Sequence, residues 1–153
     1  MNITPVEKKP FGAVVTDVEL ANLNDETFSL IQVAFLKFGF LLFPTQFLSD
    51  QENIEFGQRF GELEFGASPM SNQEKLAEGH YEKIFSIESQ RMRTNVGNET
   101  WHTDSTYKPI SSKCAMLSAV RVPTEGGATE LADMRAGYAA LDQATRDRIE
   151  NLS

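Results

Sequence analysis

The chain has 153 residues, enough for one domain, and its 41% hydrophobic and 24% charged content is ordinary for a globular protein, which excludes disorder as the default state. Its 14 basic and 22 acidic residues give a formal net charge of -8, a surface that repels both a nucleic-acid backbone and an anionic membrane. Cys114 is the only cysteine, so no internal disulfide can form and a reducing, cytoplasmic setting is expected.

Met1 to Pro5 lacks the apolar stretch of a signal peptide. Ala13 to Val18 reads as a short strand, because Val14, Thr16 and Val18 alternate with their neighbours. Asn24 or Asp25 is placed to cap a helix running to about Lys37, with Phe28, Ile31, Phe35 and Phe38 on one face and Gly39 as its stop. The apolar run Phe38 to Phe43 is interrupted by Gly39 and is too short to span a bilayer. Phe40 to Phe43 is expected as a buried strand. Ser49 and Glu52 form a capping box for a helix that presents Ile54, Phe56 and Phe60 and closes at Gly61.

Residues 64 to 82 read as a long polar loop, and loops of that length are usually functional. A strand is expected at Lys83 to Ile87, a polar connection at 88 to 100, and further strands at Ala115 to Val122 and Ala128 to Leu131. Cys114, in the apolar run Cys114-Ala115-Met116-Leu117, reads as a buried inert thiol. Asp133 caps a final helical stretch, broken near Asp142 and resuming to Leu152. The pattern implies an α+β chain with a mainly β core, a largely antiparallel sheet flanked by helices.

One segment carries chemistry: Asn98-Glu99-Thr100-Trp101-His102-Thr103-Asp104-Ser105-Thr106-Tyr107. On an extended backbone alternate side chains share a face, so His102 and Asp104 can meet on one metal ion. An imidazole, a carboxylate and a second imidazole, with open positions left over, form the facial triad of Fe(II) oxygenases. The bare triplet also fits a surface histidine beside a turn aspartate. Downstream, Pro123-Thr124-Glu125-Gly126-Gly127-Ala128-Thr129 reads as a turn between strands.

Taken together, Trp101 to Tyr107, Pro123 and Gly126-Gly127-Ala128-Thr129 resemble the TauD/TfdA family of Fe(II)- and 2-oxoglutarate-dependent dioxygenases. So do Gly39 to Phe43 before a Gln-containing loop, Phe60-Gly61-Glu62-Leu63, Met116 to Ala119, and Asp133 to Tyr138. The likeness spans essentially the whole chain and is strongest to aryloxyacetate dioxygenases. It implies a double-stranded β-helix of the jelly-roll kind with flanking helices. It also implies His102 and Asp104 as iron ligands, Thr129 on a 2-oxoglutarate carboxylate, and Asn98 beside the primary substrate. Trp101 and Tyr107 are expected to serve packing. The expected reaction consumes 2-oxoglutarate and O2 and hydroxylates a small organic acid, aryloxyalkanoate-like or sulfonate-like. A homo-oligomer is compatible with the sequence.

The family's third ligand, a later histidine, and the arginine that pairs with 2-oxoglutarate have no counterpart here. The other histidine, His80, lies upstream and reads as a loop residue. Arg135, Arg146 and Arg148 fall in expected helices directly after the Thr129 strand. Residues 1 to 153 are therefore expected to be the N-terminal part of a single dioxygenase domain, incomplete at its C-terminal end and inactive alone. Glu64 to Pro69 offers no histidine of the kind sulfonate-using members present, and no lysine follows until Lys75. Pro44-Thr45 replaces the arginine and glycine many members carry. Two other classes compete: a non-catalytic fragment or pseudoenzyme serving as a binding module, and a cupin-like metal enzyme that does not use 2-oxoglutarate.

Overall fold

The computed structural model describes residues 1–7, 9, 11–64, 73–77 and 80–152, with residues 73–77 and 80–83 described by their backbone alone. In chain order the elements are β1 (Asn2–Pro5), β2 (Ala13–Thr16), a 3-10 turn (Leu20–Asn22), α1 (Asp25–Phe38), β3 (Leu41–Leu42), α2 (Asp50–Gln58), β4 (Gln73–Ala77), β5 (His80–Ile84), α3 (Gln90–Gly97), α4 (Met134–Ala140) and α5 (Gln143–Ile149). They fall into two units, residues 1–47 with 119–153, and residues 48–118. No helix among the described residues is long and apolar enough to cross a membrane.

The first unit is built on a three-stranded sheet ordered β1-β2-β3. β1 runs antiparallel to β2, with Ile3 opposite Val15, and β3 runs parallel to β2, with Ala13 opposite Leu41. Parallel neighbours need a crossover, and α1 supplies it. Asn24 caps α1 by accepting a hydrogen bond from the Thr27 N–H at 2.8 Å. Gly39 ends it at φ 80°, with its N–H donating to the Phe35 carbonyl, and a Cβ there would stand 2.5 Å from the Phe11 ring. The buried side chains are Ala13 and Val15, alternate residues of β2, with Leu20 and the Phe28, Ile31, Ala34 face of α1. α1 thus buries the period-3.6 face read from the sequence, although Phe35 and Phe38 are only half-buried.

Gln46 explains one of the family landmarks. Its Oε1 accepts from the Leu20 N–H at 2.9 Å, and its Nε2 donates to the carbonyls of Val18 and Pro44 at 3.2 and 3.1 Å. One side chain thereby satisfies three backbone groups that no sheet or helix pairs. It stitches the segment after β3 to the turn before α1. Near the other end of the unit, Asp133 and Asp142 cap α4 and α5.

In the second unit, the Ser49 hydroxyl accepts from the Glu52 N–H at 3.3 Å, and the Glu52 carboxylate accepts from the Ser49 N–H at 2.7 Å. This is the capping box expected at the start of α2. Phe56 is buried and meets Phe60 edge to face at 5.5 Å between ring centres. β4 and β5 form an antiparallel hairpin with register shifts between Glu74 and Lys75 and between Lys75 and Ala77.

Several expectations are corrected. Within 64 to 82, expected to be one loop, the structure places β4 and the start of β5, so His80 opens a strand. The pairing stems from two polar segments meeting each other, which composition does not reveal. The strand expected over 83 to 87 ends at Ile84. Residues 90–97, read as a polar connection, form α3, capped by Ser89 accepting from the Met92 N–H at 3.1 Å. The buried strand at 40 to 43 shrinks to two residues, with Leu42 55% exposed. The segments 115–122 and 128–131 carry no ladder: among the described residues none pairs with them, and a strand exists only against a partner. The core of the described residues is accordingly mixed rather than mainly β. β1 was not anticipated.

Candidate functional site

The His102–Asp104 segment is reached through α3. At its C-terminus the Asn98 N–H donates to the Thr94 carbonyl at 3.0 Å, and the Thr100 hydroxyl donates to the Gly97 carbonyl at 3.0 Å. The helix thus unwinds into an ordered turn before the motif begins. His102 then points Nδ1 back at the Thr100 carbonyl, 2.7 Å away. A carbonyl can only accept, so Nδ1 carries the hydrogen. In the neutral ring this leaves the Nε2 lone pair free.

Nε2 faces Asp104 Oδ1 at 3.3 Å, and both side chains are about half exposed, at 46% and 58%. A lone pair aimed at a carboxylate oxygen is repulsive unless a cation sits between them, either a proton or a metal ion. Two ligands in adjacent positions on one ion, each about 2.1 Å from it, stand roughly 3 Å apart. The pair fits a divalent metal on donor type, tautomer and spacing, with the Thr100 carbonyl as the outer partner that fixes the ring. The expected extended backbone is not what aligns it. His102 and Thr103 lie outside any strand, and Asp104 opens a turn. Among the described residues no third His, Cys, Asp or Glu joins the pair.

The turn after Asp104 is held by residues that the sequence did not single out. Ser105 is buried and adopts φ 58°, a left-handed conformation unusual for a side chain that is not glycine. Its hydroxyl lies 2.8 Å from Glu64 Oε2 and 2.9 Å from the Ser112 hydroxyl, which is itself 2.7 Å from the same carboxylate oxygen. Two hydrogens serve these three oxygens, so the serines both donate to Glu64 or form a relay ending on it. Lys108 pairs with the other carboxylate oxygen, and its backbone N–H donates to the Ser105 carbonyl at 3.1 Å. Lys108, then Ser112 and Ser105, pull the Glu64 carboxyl down to about 2. Glu64 lies 41 residues from Ser105 and 48 from Ser112, too far for any local pattern to link them.

Asn98 sits at the C-cap of α3, exposed, four residues before His102. Thr129 belongs to the other unit. It follows a turn in which Gly126 and Gly127 take φ 69° and 65°, and a Cβ at Gly127 would stand 2.9 Å from the Pro123 ring. Only glycine fits there, which accounts for the spacing of Pro123 and the glycine pair. Thr129 is exposed. Arg135 pairs with Asp133 at 3.0 Å and donates to the Leu36 carbonyl at 3.3 Å, while Arg146 donates to the carbonyls of Leu141 and Ala139 at 3.0 and 2.7 Å. The Arg135 guanidinium is spent on the Asp133 carboxylate and a backbone carbonyl, and that of Arg146 on backbone carbonyls. Trp101 and Tyr107 are 67% and 77% exposed, so the packing role expected for them is not met among the described residues, where no element covers them. Cys114 is half-buried, and desolvation pushes its thiol up against the opposing charge of Lys113, in keeping with an unreactive side chain.

Comparison with known proteins places these features in context. Residues 2–153 match the profile of the taurine catabolism dioxygenase TauD, TfdA family. The chain is 42% identical over 151 residues to a (S)-phenoxypropionate/alpha-ketoglutarate-dioxygenase of Sphingobium herbicidovorans, covering 99% of the chain and 51% of that protein. It is 40% identical over 156 residues to the enzyme of the same description from Delftia acidovorans, covering 100% of the chain and 53% of that protein. Among solved structures, AAD-2 in complex with Mn(II) and N-oxalylglycine superposes with a TM-score of 0.87 at 35% identity, covering 97% of the chain and 52% of AAD-2. The chain thus spans about half the length of the relatives it matches.

Proposed function

The chain belongs to the TauD/TfdA dioxygenase family, and from that premise we propose that the protein it builds is an Fe(II)- and 2-oxoglutarate-dependent dioxygenase acting on a small organic acid. The observation that carries this reading is the His102–Asp104 pair, with Nε2 freed by the Thr100 carbonyl and set 3.3 Å from a carboxylate oxygen. When bound there, Fe(II) supplies the activation of O2 that couples decarboxylation of 2-oxoglutarate to hydroxylation. One oxygen atom enters succinate as CO2 leaves, and the other enters the product hydroxyl. His102 and Asp104 would hold the ion. Thr129 donates a hydrogen bond to a 2-oxoglutarate carboxylate, and Asn98 borders the organic acid.

The third ligand and the arginine for 2-oxoglutarate belong, on this reading, to sequence beyond the half that this chain matches in its relatives. Residues 1–153 then form the N-terminal part of one domain. Its complete fold is a double-stranded β-helix, in which 115–122 and 128–131 gain the ladder partners they lack among the described residues. That the AAD-2 likeness covers 97% of the chain supports this.

For the substrate, an aryloxyalkanoate is favoured over a sulfonate. The two relatives at 42% and 40% identity are both phenoxypropionate dioxygenases. Glu64 to Pro69, moreover, offers no histidine of the kind that sulfonate-using members of the family present. The test is succinate formation by the protein at its natural length, with Fe(II), ascorbate and 2-oxoglutarate, in the presence of 2-phenoxypropionate or taurine. Turnover with the aryloxy acid at least tenfold above taurine is expected. Equal turnover, or turnover with taurine alone, would contradict the substrate class.

A further inference from the structure

Asp104, the proposed carboxylate ligand, opens a turn that sets its direction, and that turn is conformationally costly. Ser105, the next residue, is held at φ 58° without being glycine. Such a conformation persists only where the surroundings over-determine it. Here the surroundings are a closed polar network. Ser105 is buried, its hydroxyl lies 2.8 Å from Glu64 Oε2, and Ser112 closes the triangle at 2.7 and 2.9 Å. Lys108 takes the second carboxylate oxygen and ties its own N–H to the Ser105 carbonyl. Both oxygens of Glu64 are therefore spent on the three residues of the 105–112 loop, and none is directed at a ligand or at His102.

We propose that Glu64 is a positioning residue for the metal site: through Ser105 it locks the turn that aims the Asp104 carboxylate at His102 Nε2. The inference rests on the metal-dependent reading above. It assigns the acidic residue four positions after Phe60 to the metal side of the site rather than to substrate recognition. Groups that orient a metal ligand from outside the coordination sphere typically change metal affinity by about 10–100-fold when removed.

The experiment is titration of the protein at its natural length with Mn(II), followed by the electron paramagnetic resonance of free Mn(II), alongside far-UV circular dichroism. Wild type, Glu64→Ala, Glu64→Gln and His102→Ala are compared. Glu64→Ala should weaken Mn(II) binding about tenfold or more with the circular dichroism unchanged. Glu64→Gln keeps an oxygen for the two serines and should recover most of that loss. Glu64→Met fills the same space without a hydrogen-bonding oxygen and should not recover it; recovery as complete as that of Glu64→Gln would reduce Glu64 to a space-filling role and overturn the proposal. Should Glu64→Ala fail to fold, Ser105→Ala, which removes one hydroxyl and leaves the Glu64 pairs with Lys108 and Ser112, should show the same loss. Binding abolished by His102→Ala yet unchanged in Glu64→Ala or Ser105→Ala would overturn the positioning role alone. Binding indifferent to His102→Ala would overturn the metal site, and the positioning role with it.

Discussion

Replacing Thr129 by alanine isolates the proposed contact with 2-oxoglutarate. Among the described residues the side chain is exposed and its segment carries no ladder, so the substitution there removes a hydroxyl and a methyl from a surface. Surface changes of this kind alter stability by no more than about 0.5 kcal/mol. A hydrogen bond to a charged carboxylate is worth about 1.5–3 kcal/mol, which corresponds to roughly 10- to 150-fold in a dissociation constant. The separation of these two magnitudes makes the test clean. Calorimetric titration with N-oxalylglycine in the presence of Mn(II), the pair found in the AAD-2 structure, reads the affinity without turnover. Thr129→Ala should bind the analogue at least about tenfold more weakly with an unchanged melting temperature, and Thr129→Ser should stay close to wild type. An affinity within about twofold of wild type would refute the contact, since it corresponds to less than half a kcal/mol.

Three other outcomes follow from the same structure. Ile31, like Val15, is fully buried, so Ile31→Ala should cost roughly 2–5 kcal/mol in chemical denaturation, and a loss under about 1 kcal/mol would contradict the core described here. Glu64 has a folded-state pKa of about 2 against an ordinary 4.5, a depressed value, so its contribution to stability is fully present above pH 4.5 and is lost as pH falls towards 2. Denaturation curves across that window should flatten in Glu64→Gln, and superimposable curves would contradict the network. Asn98→Ala should raise KM for the organic acid while leaving kcat and the Mn(II) affinity near wild type; a fall in Mn(II) affinity would instead make Asn98 part of the metal site.

What the sequence discloses here is governed by how local each determinant is. α1 and α2 are legible because their caps, Asn24 with Gly39 and Ser49 with Glu52, act within four residues. Asp133 announces α4 in the same way, and Asp142, where the final helical stretch was expected to break, proves to cap α5. α3 escaped because Gln90-Arg91-Met92-Arg93-Thr94-Asn95 has no apolar period, although Ser89 was available as a cap signal. β1 and the β4–β5 hairpin depend on partners 8 to 14 residues and 3 to 11 residues away, and their own residues are largely polar. The strands expected at 115–122 and 128–131 were read from composition, and composition cannot provide a neighbour to pair with. The site divides along the same line. His102 and Asp104 were singled out by a two-residue spacing together with the family resemblance, whereas Glu64, 41 residues from Ser105, became visible only when folding brought the two together. The tautomer of His102 likewise depended on a backbone carbonyl, which no sequence pattern displays.

The central claim is that His102 and Asp104 hold the metal at which 2-oxoglutarate is consumed. The most direct test is succinate production from 2-oxoglutarate under Fe(II) and O2 by the protein at its natural length, compared with His102→Ala and Asp104→Ala variants of matched circular dichroism. Wild type should form succinate in step with loss of the aryloxy acid, and each variant should fall at least about a hundredfold, since losing one ligand exceeds the 10- to 100-fold cost of losing an outer partner. Succinate formation that survives either substitution would contradict the assignment and move the metal elsewhere in the protein.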